Sequence, residues 1–320
     1  MTTVLWLGAV VVAVGLIVVG AESFAEHLAG ASVRLGASTF ALALLLAGAE
    51  PEELATVVVA ARRDLPAVAL GDVIGANLTA CLVALGVGAV LAPLPFGPRV
   101  RRYAVLGLPL GVIAAAVAWD GRVARPEGAL LVLLYAAYVA VIWRAERQPP
   151  ALGEVGELDE AREEEHDGTR PRRVGRELAW VLFGVVAMAV GASVLVEAVR
   201  QLSGVEETQA RLSYTLVGFA TGFELVVLAW SAARRGVGEA AVAGVVGSFA
   251  YNATMTLGAG ALARPLQLTD ATLLRVPWLA MVAALALVVA LAWGRDHLDR
   301  ARGVVLLVAY PVVIGALLIR

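Results

Sequence analysis

Four acidic residues lie inside long apolar stretches of this chain, where charged side chains are rare. Glu50, Glu52 and Glu53 interrupt the stretch FALALLLAGAEPEELATVVVAARR, and Glu224 interrupts YTLVGFATGFELVVLAWSAARR. A buried carboxylate is costly unless a partner satisfies it. Together with backbone carbonyls, carboxylates are the ligands that hard cations such as Ca²⁺ prefer. These four residues are therefore the first candidates for binding chemistry.

Residues that loosen helices stand directly before these acids. Gly48 and Pro51 flank Glu50 in the first stretch, and Gly218 and Gly222 precede Glu224 in the second. An opened helical turn frees carbonyl oxygens, which are tolerated at membrane depth only where they line a cavity or face an ion. Glu50 and Glu53 are secondary candidates, because either could equally mark a helix end.

The acidic segments belong to an internal repeat. Residues 52–89 align without gaps on residues 224–261 and agree at twelve positions, which pairs Glu52 with Glu224. In so apolar a chain the shared Ala, Val and Leu mean little, but a carboxylate in the same place of two hydrophobic segments is informative. Duplicated membrane halves often enclose a binding site where they meet.

A helix with a small-residue motif follows each acidic segment. The first motif is LGDVIGANLTACLVALG and the second is VAGVVGSFAYNATMTLG. Their glycines allow helices to pack closely, but packing does not explain the amides, hydroxyls and the acid, which need partners when buried. The polar residues in question are Asp72, Asn77, Thr79, Ser248 and Asn252.

The composition is that of an integral membrane protein. Of 320 residues, 60% are hydrophobic and 16% charged, with a mean hydropathy of +0.82, whereas a soluble domain is about half apolar and a quarter charged. The net charge of −2 indicates no nucleic-acid partner. Three scattered histidines, one cysteine and no nucleophile or phosphate-loop motif predict neither an enzyme nor a bound cofactor.

Ten apolar segments are long enough to cross a bilayer, since a spanning helix needs about 20 residues. We therefore predict an all-α membrane protein with ten transmembrane helices. The segments are 3–29, 37–61, 66–92, 102–119, 127–144, 177–199, 210–233, 238–262, 272–294 and 302–319.

A charged stretch divides these spans into two sets of five. The predicted domains are 1–144, a linker at 145–176 and 177–320. An odd number of spans reverses the orientation of the second half, which predicts two inverted five-helix repeats. Sixteen of the 25 arginines fall on the side that holds the linker. The positive-inside rule then predicts a cytoplasmic linker and termini outside a cell (inner) membrane; a homo-oligomer is left open.

These motifs resemble those of the cation/Ca²⁺ exchanger superfamily, especially its prokaryotic sodium/calcium exchanger-like antiporters. The repeats of that family have the pattern G-T-S-x-P-E-L, followed on the next helix by G-N/D-x-x-G-S/A-N-x-x-N. GAEPEEL at 48–54 and GDVIGAN at 71–77 are similar to the first repeat, and ATGFEL at 220–225 and GVVGSFAYN at 244–252 to the second. The resemblance covers essentially the whole chain.

The resemblance implies a set of cation-binding residues. The paired ion-binding glutamates of the family fall on Glu52 and Glu224, with Glu53 replacing Glu52 if the alignment slips by one residue. The remaining implied positions are Thr221, Ser248, Asn252 and Asn77, with Asp72 as a secondary candidate. Ala49, Ala80 and Phe249 stand where the family has polar side chains, which predicts weaker sodium dependence.

The function implied is secondary antiport of Ca²⁺, or a similar cation, against Na⁺ or H⁺ by alternating access. The partners implied are the lipid bilayer and inorganic cations. Two alternatives stay open: a cation/proton exchanger without sodium sites, and a non-transporting homologue that senses ions.

Overall fold

The computed structural model describes residues 2–34, 50–146, 174–235 and 238–319, and its regular structure is almost entirely helical. Residues 147–173, which make up most of the predicted linker, therefore lie outside the described residues. Residues 37–49 of the second predicted span also lie outside them. The elements up to residue 146 are α1 (Thr2–Arg34), α2 (Pro51–Arg62), α3 (Pro66–Leu78), the π-helical turn π1 (Thr79–Ala84), α4 (Leu85–Leu91), β1 (Leu94–Pro95), α5 (Pro98–Val117), β2 (Arg122–Val123) and α6 (Arg125–Glu146).

The remaining elements begin at residue 174 and include two more π-helical turns. They are α7 (Val174–Leu202), α8 (Glu206–Leu212), π2 (Ser213–Val217), α9 (Gly218–Thr221), α10 (Phe223–Arg235), α11 (Gly238–Ala250), π3 (Tyr251–Thr256), α12 (Leu257–Ala263), β3 (Leu266–Gln267), α13 (Thr272–Ala292), β4 (His297–Leu298) and α14 (Arg300–Ile319).

Eight helices of the described residues are long and apolar enough to cross a membrane, and each matches a predicted span. The predicted spans 37–61 and 238–262 are not among the eight. The structure describes only residues 50–61 of the former. It forms the latter as α11, π3 and α12, the same series of segments as the counted span Pro66–Leu91. The prediction of a multi-pass helical membrane protein is confirmed at the level of a mostly helical fold whose described residues also form four two-residue strands, and the count of ten spans stays a prediction.

Several helices begin at prolines. Pro51, Pro66 and Pro98 lie in the first turns of α2, α3 and α5. A proline is tolerated there because the amide it lacks would have no helical acceptor. Pro51 therefore fixes the start of α2, and Glu50 lies immediately before the helix.

The internal repeat reappears as matching backbone segments. The series α3, π1 and α4 recurs as α11, π3 and α12, and every boundary is displaced by 172 residues, the offset of the sequence repeat. A π-helical turn is rare and frequently lies at a functional site. Its recurrence at matching positions shows that the two repeats share a local backbone as well as glycines.

The two halves also exchange reciprocal contacts. β1 pairs with β4, while β3, the repeat counterpart of β1, pairs with β2. In the same way α12 packs against α6 and α14 against α4, and α11 packs against α5 and α13 against α3. Each half thus contacts the other through equivalent elements.

The helices α1 and α7 form a long pair that packs along its length. A Cβ added to Gly20 would lie 2.8 Å from the Gly184 carbonyl oxygen, and one added to Gly184 would lie 2.6 Å from that of Gly20. Glycine is needed at this crossing because any larger residue would push the two backbones apart.

Candidate cation-binding site

The candidate residues gather where the start of α2, the middle of α3, π3 and the break between α9 and α10 come together. A Cβ on Gly75 would lie 2.6 Å from the Tyr214 carbonyl oxygen, and one on Gly218 would lie 2.5 Å from the Ala76 nitrogen. The glycines thus bring α3 into backbone contact with π2 and α9. The sequence-based packing role for Gly75 is confirmed, and this contact sets the distance between the polar groups of the two halves.

Glu50 connects the two halves directly. The Asn252 side-chain nitrogen donates a hydrogen bond of 2.8 Å to Glu50 Oε2, whereas Glu50 Oε1 is buried without a hydrogen-bond partner. Only 5% of Glu50 is exposed. The Glu50 carboxylate therefore presents one satisfied and one open oxygen to the interior.

Asn252 is held at both ends of its amide. Its oxygen accepts a hydrogen bond of 3.1 Å from Thr256 Oγ1, and its nitrogen lies 3.4 Å from Ser248 Oγ as well as bonding Glu50. All three partners agree with one amide orientation. Asn252 and Ser248, which the sequence nominated together, thus belong to one network with Glu50.

Asp72 meets the second half through Thr221. Thr221 Oγ1 lies 3.0 Å from Asp72 Oδ1 and 3.1 Å from the Val217 carbonyl oxygen, and Asp72 Oδ2 is buried without a partner. The single hydroxyl proton can serve one of these acceptors at a time. Asp72 and Thr221 are therefore adjacent, although the sequence separates them by 149 residues.

The other acids surround Glu50. Glu53 is buried beside the Glu50 carboxylate, and neither of its oxygens receives a hydrogen bond from a donor group; Glu224 Oε2 is likewise buried without a donor. Glu53 and Glu224 are each close enough to the Glu50 carboxylate for the charges to repel each other. Glu52 is buried and lies within electrostatic range of Tyr251.

Like charges thus cluster here without basic partners. Within the described ranges, no arginine or histidine forms an ion pair with Glu50, Glu53, Asp72 or Glu224. Buried carboxylates so close together repel when all are ionised. A bound cation or protons would relieve that repulsion.

The open oxygens do not form a finished cage for one ion. Within the residues that the structure describes, no three His, Cys, Asp or Glu side chains are placed to hold a metal together. Among the described side chains, at most two carboxylates therefore meet one cation in this conformation. Amide, hydroxyl and carbonyl oxygens would complete the coordination of a hard cation such as Ca²⁺.

Asn77 lies in the same region but faces a different helix. Its side-chain nitrogen donates a hydrogen bond of 3.4 Å to Met281 Sδ of α13, and its Oδ1 is buried without a partner. Among the predicted positions, Asn252, Ser248, Thr221, Asp72 and Glu50 are linked by hydrogen bonds in two groups, and Asn77 belongs to neither.

Sequence reasoning missed two aromatic residues beside the acids. Tyr251 and Tyr135 pack edge to face with ring centroids 5.3 Å apart, and both lie within electrostatic range of Glu50. Tyr251 directly precedes Asn252 on π3. Its position next to a predicted ligand was the available signal, but the sequence does not show that α6 brings Tyr135 to the same place.

The apolar helices and this buried polar cluster define a multi-pass membrane protein of the transporter class. The family model described as sodium/calcium exchanger protein matches residues 5–144 and 177–319. The chain therefore belongs to the sodium/calcium exchanger family. It is a cation antiporter and not an enzyme, because this is a family of secondary transporters, and the predicted family resemblance is confirmed.

Individual relatives match over most of the chain. An uncharacterized membrane protein of Methanocaldococcus jannaschii is 22% identical over 301 residues, 94% of this chain and 91% of the relative. A protein of Alkalimonas amylolytica, provisionally named as the antiporter CaxA, is 23% identical over 300 residues, 92% of this chain and 90% of the relative. The fold matches that of the sodium–calcium exchanger NCX_Mj, soaked with 100 mM Na⁺ and 10 mM Sr²⁺, with a TM-score of 0.63, 19% identity and coverage of 98% and 99% of the two chains.

Proposed function

We propose that this protein exchanges Ca²⁺, or a divalent cation of similar size, for H⁺ or Na⁺ by alternating access. The observation that carries the proposal is the set of buried carboxylate oxygens without hydrogen-bond partners, contributed by both halves. Such groups are costly at membrane depth and mark ion pathways. A cation could bind these oxygens from one side of the membrane and be released from the same oxygens to the other side.

In this proposal the cation lies between Glu224 of the second half and the acids at the start of α2. The repeat pairs Glu224 with Glu52, but the open carboxylate oxygens at the start of α2 belong to Glu50 and Glu53, and a third open acid of the first half, Asp72, lies on α3 beside Thr221. We therefore assign the cation to Glu224 with Glu50 or Glu53, two carboxylates at a time. Glu52 is assigned a neighbouring position beside Tyr251.

The oxygen and nitrogen groups of the second half support these acids. Asn252 orients Glu50 through its 2.8 Å hydrogen bond, and Thr221 offers a hydroxyl next to Asp72. Carboxylates, hydroxyls and backbone carbonyls at the broken helices together supply the oxygen set that Ca²⁺ takes. No resident cofactor is needed for this exchange, because the cation is the cargo.

Alternating access is proposed to use two inverted five-helix halves. The reciprocal pairing of β1 with β4 and of β3 with β2 supports a two-fold relation between the halves. With five spans in each half, the second half would have the opposite orientation in the membrane. A conformation whose site opens to one side of the membrane then has an equivalent conformation whose site opens to the other side. The excess of arginines near the linker supports a cytoplasmic linker.

Two alternative functions, a cation/proton exchanger and an ion sensor, predict different transport behaviour. An exchanger without sodium sites would be driven by a proton gradient alone, which the apolar Ala80 in π1 favours. A sensor would bind cations without moving them, and the buried open oxygens do not by themselves separate binding from transport.

The test is ⁴⁵Ca²⁺ uptake into proteoliposomes that contain the purified full chain, with imposed Na⁺ or H⁺ gradients. We expect uptake that requires a gradient of one of these counter-ions and stops when that gradient is collapsed. Vesicles with the Glu224→Gln variant provide the matched control for leak. Cation binding without any gradient-driven uptake would contradict exchange and identify a sensor.

A further inference from the structure

A groove with a polar upper end and apolar walls runs along α7, away from the carboxylates described above. The groove has a volume of about 680 Å³ and lies between α1, α7 and the end of α2. Its lining on α7 is Val186, Ala189, Val190, Ser193, Val194 and Glu197. The spacing of these six residues, three and four apart, forms one stripe on the helix.

The stripe runs from near the end of α7 toward the middle of that helix. Glu197 is five residues from the end of α7 at Leu202, and Val186 lies eleven residues deeper. At 1.5 Å per residue the groove therefore runs for roughly 16 Å along the helix. This length is comparable to one leaflet of a hydrocarbon core that is about 30 Å thick.

The upper end of the groove carries a net positive charge. Arg63 Nη1 donates to the Ser193 carbonyl oxygen at 3.1 Å and lies 3.4 Å from Glu197 Oε2, and Arg200 contacts Glu197 at 2.7 Å. Arg63 and Glu197 line the groove, and Arg200 lies beside Glu197 just outside the lining. The three side chains together carry a net charge of +1. Within the described part of the chain, the Nε and Nη2 atoms of Arg63 have no protein acceptor, so these donors face the groove opening or solvent.

The lower walls of the groove are apolar and exposed. Val186 and Val190 are 52% and 48% exposed. Trp6 of α1 also lines the groove, and it lies two residues into its span, at the boundary end of that helix. Tryptophan is enriched at membrane–water interfaces. Free guanidinium donors above an apolar channel match the polarity of a phospholipid, since arginine binds phosphate through paired N–H groups.

We infer that this groove binds one anionic phospholipid, with its phosphodiester at Arg63 and an acyl chain along the valines of α7. The inference does not depend on the exchange reaction, because none of the proposed ion ligands lines the groove. Zwitterionic lipids would share the apolar contacts but gain less at the charged end, since each arginine near an anionic lipid surface contributes attraction.

The test measures the first bound lipid on the delipidated full chain by native mass spectrometry, with phosphatidylglycerol and phosphatidylcholine as probes. We expect tighter binding of phosphatidylglycerol, and an apparent affinity roughly five-fold weaker in Arg63→Gln. Arg62→Gln is the matched control, because Arg62 is an exposed neighbour that does not line the groove. That control should stay within about two-fold of the wild type.

A second variant tests the groove without disturbing Arg63, whose bonds to α7 also support packing. Val190→Trp should fill the groove and weaken both lipids, whereas Val185→Trp, on an exposed position of α7 outside the groove, should weaken neither. Equal lipid binding by Val190→Trp and Val185→Trp would overturn the inference. Two other results would also overturn the inference. Displacement of phosphatidylglycerol by inorganic phosphate would indicate a small-anion site. A dimer that Val190→Trp dissociates would assign the groove to a second copy of the chain.

Discussion

The turns π1 and π3 occupy matching places in the two halves and share the same backbone, yet their side chains differ. π1 carries Ala80 where π3 carries Asn252, and Ala84 where π3 carries Thr256. In the preceding helices the first half is the more polar one, because three glutamates lie at the start of α2 and α10 has one. The first half therefore supplies most of the acids and the second half supplies neutral donors.

This division explains why the hydrogen bonds of the site cross between the halves. Glu50 receives its hydrogen bond from Asn252, and Asp72 contacts Thr221. In both contacts the acid belongs to the first half and the donor to the second, so the hydrogen bonds cross between the halves. Duplication preserved the glycines and helix breaks that shape the site, while its polar groups became complementary.

The largest expected effect comes from removing a carboxylate. Glu224→Gln and Glu50→Gln should each reduce gradient-driven ⁴⁵Ca²⁺ uptake by roughly 30-fold or more, because loss of one buried charged partner costs about 2 kcal/mol or above. Glutamine keeps the shape and one oxygen, so the change removes mainly the charge. Uptake at several Ca²⁺ concentrations measures the effect.

Glu207→Gln is the matched control for this experiment. Glu207 is an exposed acid that pairs with Arg211 at 2.6 Å, and an exposed pair contributes little. Glu52→Gln should be milder than Glu50→Gln. If Glu52→Gln is the more damaging change, the pairing of Glu52 with Glu224 that the sequence repeat indicates is correct, and our assignment to Glu50 is wrong.

Much of the architecture could be predicted because it depends on periodicity and composition. The eight spanning helices agree with predicted segments, and the break at Gly222 separates α9 from α10 as the glycines indicated. Sequence-based prediction was less suited to the site, since its contacts join residues far apart. The 2.8 Å bond between Glu50 and Asn252 spans 202 positions, and no local pattern distinguishes Glu50 from Glu52 and Glu53.

The orientation of individual side chains could also not be predicted from the sequence. Asn77 fits the family pattern as well as Asn252 does, but it donates to Met281 on α13. Which face of α3 an amide occupies depends on how α13 packs, and the repeat carries no information on that packing because Phe249 replaces the second amide. The ligand set stays a prediction until variants test it.

A smaller effect is expected from acidification. Ca²⁺ uptake should fall as the pH decreases from 9 to 6, because each proton bound by a carboxylate of the site removes a negative charge that would otherwise attract the cation. We expect a fall of about tenfold over the whole range, since one competing proton weakens the apparent cation affinity by at most tenfold per pH unit and only where the carboxylate titrates. Sodium dependence should be weak by comparison, since Ala80 and Phe249 supply no ligand oxygens from their side chains.

Uptake measured across this pH range, with and without a sodium gradient, distinguishes the coupling ions. Vesicles held at equal pH on both sides control for the effect of a proton gradient as a driving force. A flat pH profile with steep, cooperative sodium dependence would contradict proton coupling. It would mean that backbone carbonyls supply the sodium ligands that the side chains lack.

The smallest expected effect tests the difference between π1 and π3 directly. Asn252→Ala leaves Glu50 Oε2 without its buried donor, and an unsatisfied buried acceptor costs about 1–3 kcal/mol. Part of that cost falls on the empty protein and part on the bound state, so we expect Ca²⁺ affinity to fall by only about five-fold. Ala80→Asn adds an amide at the matching position of π1 without removing an existing hydrogen bond, so we expect Ca²⁺ affinity to change by less than about two-fold. Both positions are fully buried, so the two variants compare amide chemistry at equal depth. Equal sensitivity at the two positions would show that the halves contribute alike and that the hydrogen bond between Glu50 and Asn252 does not distinguish them.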